Sequence, residues 1–285
     1  MNLRDFFEKT SSDWVRYSKY EIKEKDGQEY ITPAADSKIE LYNPLDSAED
    51  LVVDALNVGM LLCIGELNTQ NRHDMLISFA QSYGLLGFMT AIPLNGNFME
   101  YPHVFFGRNA FFDLGMMETG EYMKLFQPFG IKEGQPRDGF SLPVTLITGK
   151  TLEYSIVFSR NYSERTDWFE GVLKQFYMHF AACKGYEGTD NPALKDAYAE
   201  TVSCFSEYGL GFRMGVDGKP TMVWDFNSLK MVIETIYAFL VSAADTPLRM
   251  CKRCGKAFYA KHGRSEFCSG RCRNQFNVYK SRGKK

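Results

Sequence analysis

The chain has 285 residues, 45% hydrophobic and 24% charged, which argues against a disordered chain and gives enough apolar surface for one large domain plus a small module, or for two domains. No apolar run reaches the ~18 residues that a membrane span needs, and the acid-bearing opening MNLRDFFEKTSSDW lacks the apolar core of a secretory signal, so a cytoplasmic protein with no membrane partner is expected. The net charge of −2 conceals a division: residues 249–285 hold 12 Lys and Arg against one acid, Glu266, for a net +11, while residues 1–248 carry −13.

Along the chain, alternating residues around Asp26-Gly27 predict a β-hairpin, and KIELYNP (38–44) predicts a further strand. In 46–68, Ser47 and Asp50 have the spacing of a capping box, and Leu51, Val52, Ala55 and Leu56 recur at the helical period, so a helix is expected. NRHDMLISFAQSYGLLG (71–87) predicts a second helix, with Met75, Leu76 and Phe79 on one face and Gly84 just past its end. Residues 93–150 are rich in Gly, Pro and aromatic side chains and read as turns, a short helix near 119–127 and a loop at 130–140. A hairpin about Thr148-Gly149 follows, although the second half of 144–161 equally suits a helix start. SERTDWFEGVLKQFYMHFAACKGY (163–186) predicts a helix ending before Gly185, and NPALKDAYAETVSCFSEYG (191–209) another, with Pro192 in its first turn and Gly209 beyond its end. Short runs flanking Asp217-Gly218 predict a second hairpin. A strongly apolar helix comes next in 228–245, striped by Leu229, Val232, Ile233, Ile236, Tyr237 and Leu240 and stopped by Pro247. The fold class expected is mainly α with short β-hairpins (α+β). An acidic, aromatic-rich, mostly helical body would span 1–247 and a small basic module 248–285. The short Asp245-Thr246-Pro247 connection predicts a docked module.

The module carries the most specific pattern. Four of the seven cysteines follow the spacing Cys251-x2-Cys254-x13-Cys268-x3-Cys272, the layout of a tetrahedral structural zinc site. Cys-x-x-Cys lets one tight turn aim two sulfurs at one ion. Gly255 can take the positive φ that such a turn asks for. Ser269 can cap a helix from Gly270, placing Cys272 in its first turn beside the positive end of the helix dipole. Phe258, Phe267 and Phe276 supply the apolar seal. Four thiolates leave no open coordination position, so a structural and not a catalytic Zn²⁺ is expected; a redox pair fits poorly, since no strand-to-helix context surrounds the motif. Cys63, Cys183 and Cys204 are expected to be buried free thiols of a reducing compartment.

Zn²⁺ with four thiolates is formally −2, and the module's +11 exceeds what would offset it. Lys252, Arg253, Lys256, Lys261, Arg264, Arg271, Arg273, Lys280 and Arg282, with Lys284 and Lys285, are therefore candidates to meet phosphates. The alternatives are a solvated tail or a module docked on the chain's own acidic body. The four histidines, His73, His103, His179 and His262, show no metal spacing, and no phosphate-binding glycine loop or nucleophile motif is present. The aromatic residues of 98–129 suit a core, or else a pocket for a small-molecule ligand.

Residues 227–285 resemble the C-terminal zinc finger of the bacterial CGNR family, through Leu248-Arg249, Cys251, Cys254, Phe258, Arg264, Cys268-Ser269 and Cys272. The signature tetrapeptide departs, reading Cys272-Arg273-Asn274-Gln275, and the last cysteine pair is one residue shorter, so the chain reads as a divergent relative. The resemblance implies a treble-clef-like module and a DNA-binding transcription regulator. DNA or another nucleic acid is the expected partner, with a body that senses a ligand or mediates assembly into an oligomer. The rival expectation is an interaction module docked on its own acidic body or on a protein partner, and the third is an enzyme with an unrecognised site in the body.

Overall fold

A computed structural model describes residues 14–25, 27–65, 67–87, 163–205, 211–226, 228–243, 247–260 and 264–283. It is α+β, with six α-helices and small antiparallel sheets among these residues. The expectations for 93–150, for Thr148-Gly149 and for the aromatic residues of 98–129 lie outside the described residues, as do His103, Lys261 and His262. None of the described helices is long and apolar enough to cross a membrane.

The chain divides into two compact units. One comprises Met1–Asp46, Thr69–Phe169 and Glu207–Val232, the other Ser47–Asn68, Glu170–Ser206 and Ile233–Lys285. The cysteine module falls in one unit with all or part of four helices that precede it in sequence.

In the first unit, β1 (Trp14–Tyr17) pairs with β4 (Ile39–Tyr42). β2 (Tyr20–Lys25) pairs with β3 (Gln28–Pro33), Lys25 opposite Gln28, and Gly27 at φ 74° makes the tight turn that the Asp-Gly pair predicts. β5 (Glu164–Arg165) joins β3 from far along the chain. Buried Glu164 accepts hydrogen bonds from the backbone N–H groups of Leu86 and Gly87. α2 (Thr69–Tyr83) packs on β1 and β2 and ends at Gly84, φ 85°, as predicted. His73 lies in its second turn, 3.0 Å from a Glu29 carboxylate oxygen. β6 (Gly211–Asp217) and β7 (Lys219–Asp225) form the second predicted hairpin, with Gly218 at φ 68°.

The second unit contains α1 (Ala48–Ile64), most of α3 (Thr166–Gly188), α4 (Pro192–Ser203), most of α5 (Leu229–Ser242) and the module, which is β8 (Leu248–Met250), β9 (Ala257–Tyr259) and α6 (Gly270–Ser281). The predicted apolar positions of α1, Leu51, Val52, Ala55 and Leu56, are all fully buried. The capping box does not form. Ser47 ends a 3₁₀ turn over Pro44–Ser47, and its side chain makes no cap bond; the chain enters the helix already wound.

α3 also differs from expectation. It continues through Gly185 to Gly188 because Gly185 serves packing and not termination: a Cβ there would sit 2.5 Å from the Tyr198 ring of α4. α4 starts at Pro192 with the Asn191 side chain accepting from Ala193 N–H and ends at Ser203, well before Gly209. Gly59 allows a still closer approach, since a Cβ on it would overlap the Leu173 carbonyl of α3.

Gly59→Ala must therefore force α1 and α3 apart and should cost about 1–3 kcal/mol. Gly171→Ala, in the same helix pair but with open space around its would-be Cβ, should stabilise by about 0.5–1 kcal/mol. Urea midpoints at unchanged m-value measure both; equal shifts of one sign would show that Gly59 is not a contact glycine.

Candidate metal centre

The module opens with a hairpin whose loop carries the first two ligands. Leu248 pairs with Tyr259 and Met250 with Ala257, so Cys251–Lys256 is the connection between β8 and β9. Gly255 takes φ 74°, and its N–H donates to the Cys251 carbonyl at 3.0 Å, closing the turn around both sulfurs. The second pair sits at the start of α6. Ser269 is the N-cap, its Oγ accepting from Cys272 N–H at 3.2 Å, so Cys272 rides the first turn as predicted. The Phe267 and Phe276 rings pack 5.1 Å apart and close that side of the module.

The four sulfurs lie within 4.8 Å of one another. Three of the edges measure 3.7 Å (Cys254–Cys268), 3.6 Å (Cys268–Cys272) and 3.8 Å (Cys272–Cys254). Sulfurs about 2.3 Å from a tetrahedral ion are about 3.8 Å apart, whereas disulfide sulfurs lie about 2.05 Å apart. All seven cysteines are free thiols. The cluster can therefore hold one metal ion through Cys251, Cys254, Cys268 and Cys272.

The electrostatics point the same way. Burial pushes the Cys251 thiol up, but N–H groups of Cys268, Arg253 and Cys254 outweigh it and bring its pKa down to about 6. Burial and the neighbouring sulfurs push Cys268 up to about 12, and burial raises Cys254. Cys251 is thus the more readily ionised thiol, and ionisation of Cys268 is opposed by the sulfurs packed beside it. A divalent cation removes that opposition, because its charge exceeds any other in the site.

The hairpin side of the module is anchored within its unit, and nothing in the sequence pattern announces how. Asn57 of α1, 200 residues earlier, makes a two-point pairing with Ala257 of β9: its Nδ2 donates to the carbonyl at 3.0 Å and its Oδ1 accepts from the N–H at 2.9 Å. Tyr177 of α3 donates its hydroxyl to the Gly255 carbonyl at 3.4 Å. Both contacts reach main-chain groups, so they take up none of the module's charge.

The predicted cations are not equivalent. Lys252 pairs with Glu266, and the Arg253 guanidinium lies 5.0 Å from the Tyr279 ring centroid, so both are occupied in shaping the module. Lys256, Arg264, Arg271, Arg273, Lys280 and Arg282 are exposed. Of the three remaining thiols expected to be buried, only Cys183 is. Cys63, in the last turn of α1, and Cys204, at the end of α4, are exposed.

Among the described residues, the cluster closest to catalytic chemistry is His179, Tyr237 and Cys183. The Tyr237 hydroxyl is 2.7 Å from His179 Nδ1, and His179 Nε2 is 3.1 Å from the Val202 carbonyl; Phe205 lies against the imidazole, ring centroids 4.7 Å apart. Nε2 must donate to that carbonyl, so Nδ1 accepts from Tyr237. Both nitrogens are committed, and the cluster reads as a satisfied part of the core. Compared with models of protein families, with curated proteins and with solved structures, the chain matches none.

Two outcomes are expected here. The chain should bind one equivalent of Co²⁺ with thiolate-to-cobalt charge-transfer absorption, and Cys268→Ser should weaken that band and destabilise the module; full retention of both would refute the four-sulfur site. Burial lowers the pKa of His179, so its stabilising contribution is complete above the unfolded value of about 6.5 and is lost as pH falls towards the lower folded value. The stability difference between wild type and His179→Gln, from urea unfolding, should shrink between pH 7.5 and 5.5; a constant difference would contradict the neutral imidazole.

Proposed function

We propose that the four thiolates hold a structural Zn²⁺ and that the module binds nucleic acid, DNA in the first place, as the anchoring part of a transcription regulator. Tetrahedral all-sulfur sites take Zn²⁺ or iron, and a closed site whose neighbouring segments are short strands and one capped helix suits the ion without redox chemistry. The observation that carries the nucleic-acid reading is the exposure of Arg264, Arg271, Arg273, Lys280 and Arg282 on a module whose anchoring contacts are made by backbone groups. Had the cations been drawn into pairs with the acidic helices, the docked-module reading would be the stronger one. As it is, the hairpin is docked and these α6 and loop cations face solvent.

Exposed cations bind polyanions by releasing condensed counterions, which makes the affinity fall steeply with salt. The sensing or assembly role of the remaining chain rests on the acidic, aromatic-rich composition of residues 1–248 and belongs to the same proposal.

Full-length protein should bind duplex DNA in a mobility-shift titration, with log K falling linearly in log salt. Arg271→Ala with Arg273→Ala should reduce that slope by about 1.8, two phosphate contacts at roughly 0.9 each. No binding by the zinc-loaded wild type would overturn the reading, and an unchanged slope would move the contact off α6. Point variants suit this test better than truncation at residue 247, which would strip Ala257 and Gly255 from Asn57 and Tyr177.

A further inference from the structure

We infer that α6 is a major-groove reading helix, with Asn274 and Asn277 addressing base edges; this rests on the nucleic-acid reading above and adds to it the type of nucleic acid and the residues that read it. The inference comes from how residues are distributed around α6 at about 100° per residue. Cys272, Phe276 and Tyr279, spaced i, i+4, i+7, share the side turned to the sulfur cluster, to Phe267 and to Arg253. Directly opposite runs a ridge of Asn274, Asn277 and Ser281, spaced i, i+3, i+7 and exposed. Beside the ridge stand two shoulders, Arg271 with Arg282 on one and Arg273 with Lys280 on the other, all exposed.

The cations are therefore not gathered on one face. They form two rows separated by an uncharged polar ridge. A flat acidic protein surface would favour one contiguous cationic face. A helix lying in a groove meets a phosphate wall on each side and bases ahead of it. With side chains, a helix is roughly 10–12 Å across, the width of the B-DNA major groove, about 12 Å. The minor groove, about 6 Å wide, excludes it, as does the narrow major groove of A-form RNA. Two rows of cations on one such helix match two phosphate walls, and the ridge between them is left for bases.

The ridge has the right chemistry. An Asn carboxamide pairs with N6 and N7 of adenine through one donor and one acceptor. Asn274 and Asn277 are offset by about 4.5 Å along the axis, against about 3.4 Å per base pair, so they address neighbouring base pairs. Val278, 44% exposed beside the ridge, offers methyl groups to a thymine methyl in the same groove. The Ser269 cap and the two cysteines at the start of α6 fix the helix to the metal centre at one end, which keeps the ridge aimed outward.

The test uses the full-length, zinc-loaded chain and a pool of random 20-base-pair DNA duplexes. Selection should enrich a short motif with adenine at neighbouring positions of its core, and the wild type should prefer the selected duplex to a scrambled one. Asn274→Ala with Asn277→Ala should lower that preference tenfold or more at one salt concentration, with zinc content, affinity for the scrambled duplex and salt slope unchanged. If the double variant keeps the wild-type preference, or if selection enriches no motif, base reading by the ridge is overturned while the basic-surface reading stands. Equal affinity for duplex RNA overturns the groove assignment. Failure of the wild type to bind any duplex overturns both readings together.

Discussion

Cys272 belongs to two structures at once. Its sulfur is one corner of the four-sulfur cluster, 3.6 Å from Cys268, and its backbone N–H is taken by the Ser269 cap at the start of α6. Whatever holds the sulfurs together also sets the direction of the helix. An isolated 12-residue helix is marginal in water, and α6 has no buried residues of its own. Its persistence depends on the Cys268 and Cys272 tether and on Phe276 against Phe267. The cations and amides of α6 are thus positioned by the metal-binding side chains and not by a hydrophobic core.

The division of labour within the module follows from which groups make which contacts. The hairpin end meets its surroundings through main-chain amides and carbonyls, where Asn57 imitates the edge of a strand against Ala257. Leaving either Ala257 group unpaired in a buried position would cost about 1–3 kcal/mol, so the pairing is specific although neutral. The helix end makes no comparable demand on its charged side chains. A module anchored by charge would have spent its arginines on the anchor, whereas one anchored by backbone hydrogen bonds keeps them exposed. Arg249, Lys252 and Arg253 are the exceptions: Arg249 donates to the Ser265 carbonyl, and Lys252 and Arg253 are held by Glu266 and Tyr279.

Patterns local in the chain were legible from residues alone. The two Asp-Gly hairpins, the apolar period of α1, the Gly84 stop, the Gly255 turn and the Ser269 cap each depend on neighbours within a few residues, and each is in place; the four cysteines, though up to 21 residues apart, announced their cluster through the spacing of two close pairs. What the sequence misjudged depends on contacts between distant segments. Gly185 looks like a stop but is a contact point for Tyr198, and Gly59 carries no local signal although Leu173 requires it. The 3₁₀ turn ahead of α1 displaces a capping box that spacing alone supports. Asn57 and Tyr177 are ordinary polar residues in amphipathic helices until their partners 200 and 78 residues away are known. The two rows of cations on α6 were present in the sequence as spacing, yet they become meaningful only once the side turned to the cluster is known.

Charge makes the last 37 residues look like a separable finger on an acidic body, and the contacts argue against treating them so. The apparent binding energy of a structural Zn²⁺ in small modules is on the order of 10–16 kcal/mol, comparable with the whole stability of a typical domain, about 5–15 kcal/mol. In an isolated finger that energy folds the finger alone. Here the loop between Cys251 and Lys256 is bounded by β9, which lies on α1, and its Gly255 carbonyl takes the Tyr177 hydroxyl of α3. Ordering the loop around an ion therefore also orders the surface that Asn57 and Tyr177 recognise. Asn57 lies two residues from Gly59 on α1 and Tyr177 four from Leu173 on α3, so the loop that carries Cys251 and Cys254 rests on the same helix pair that Gly59 brings into contact.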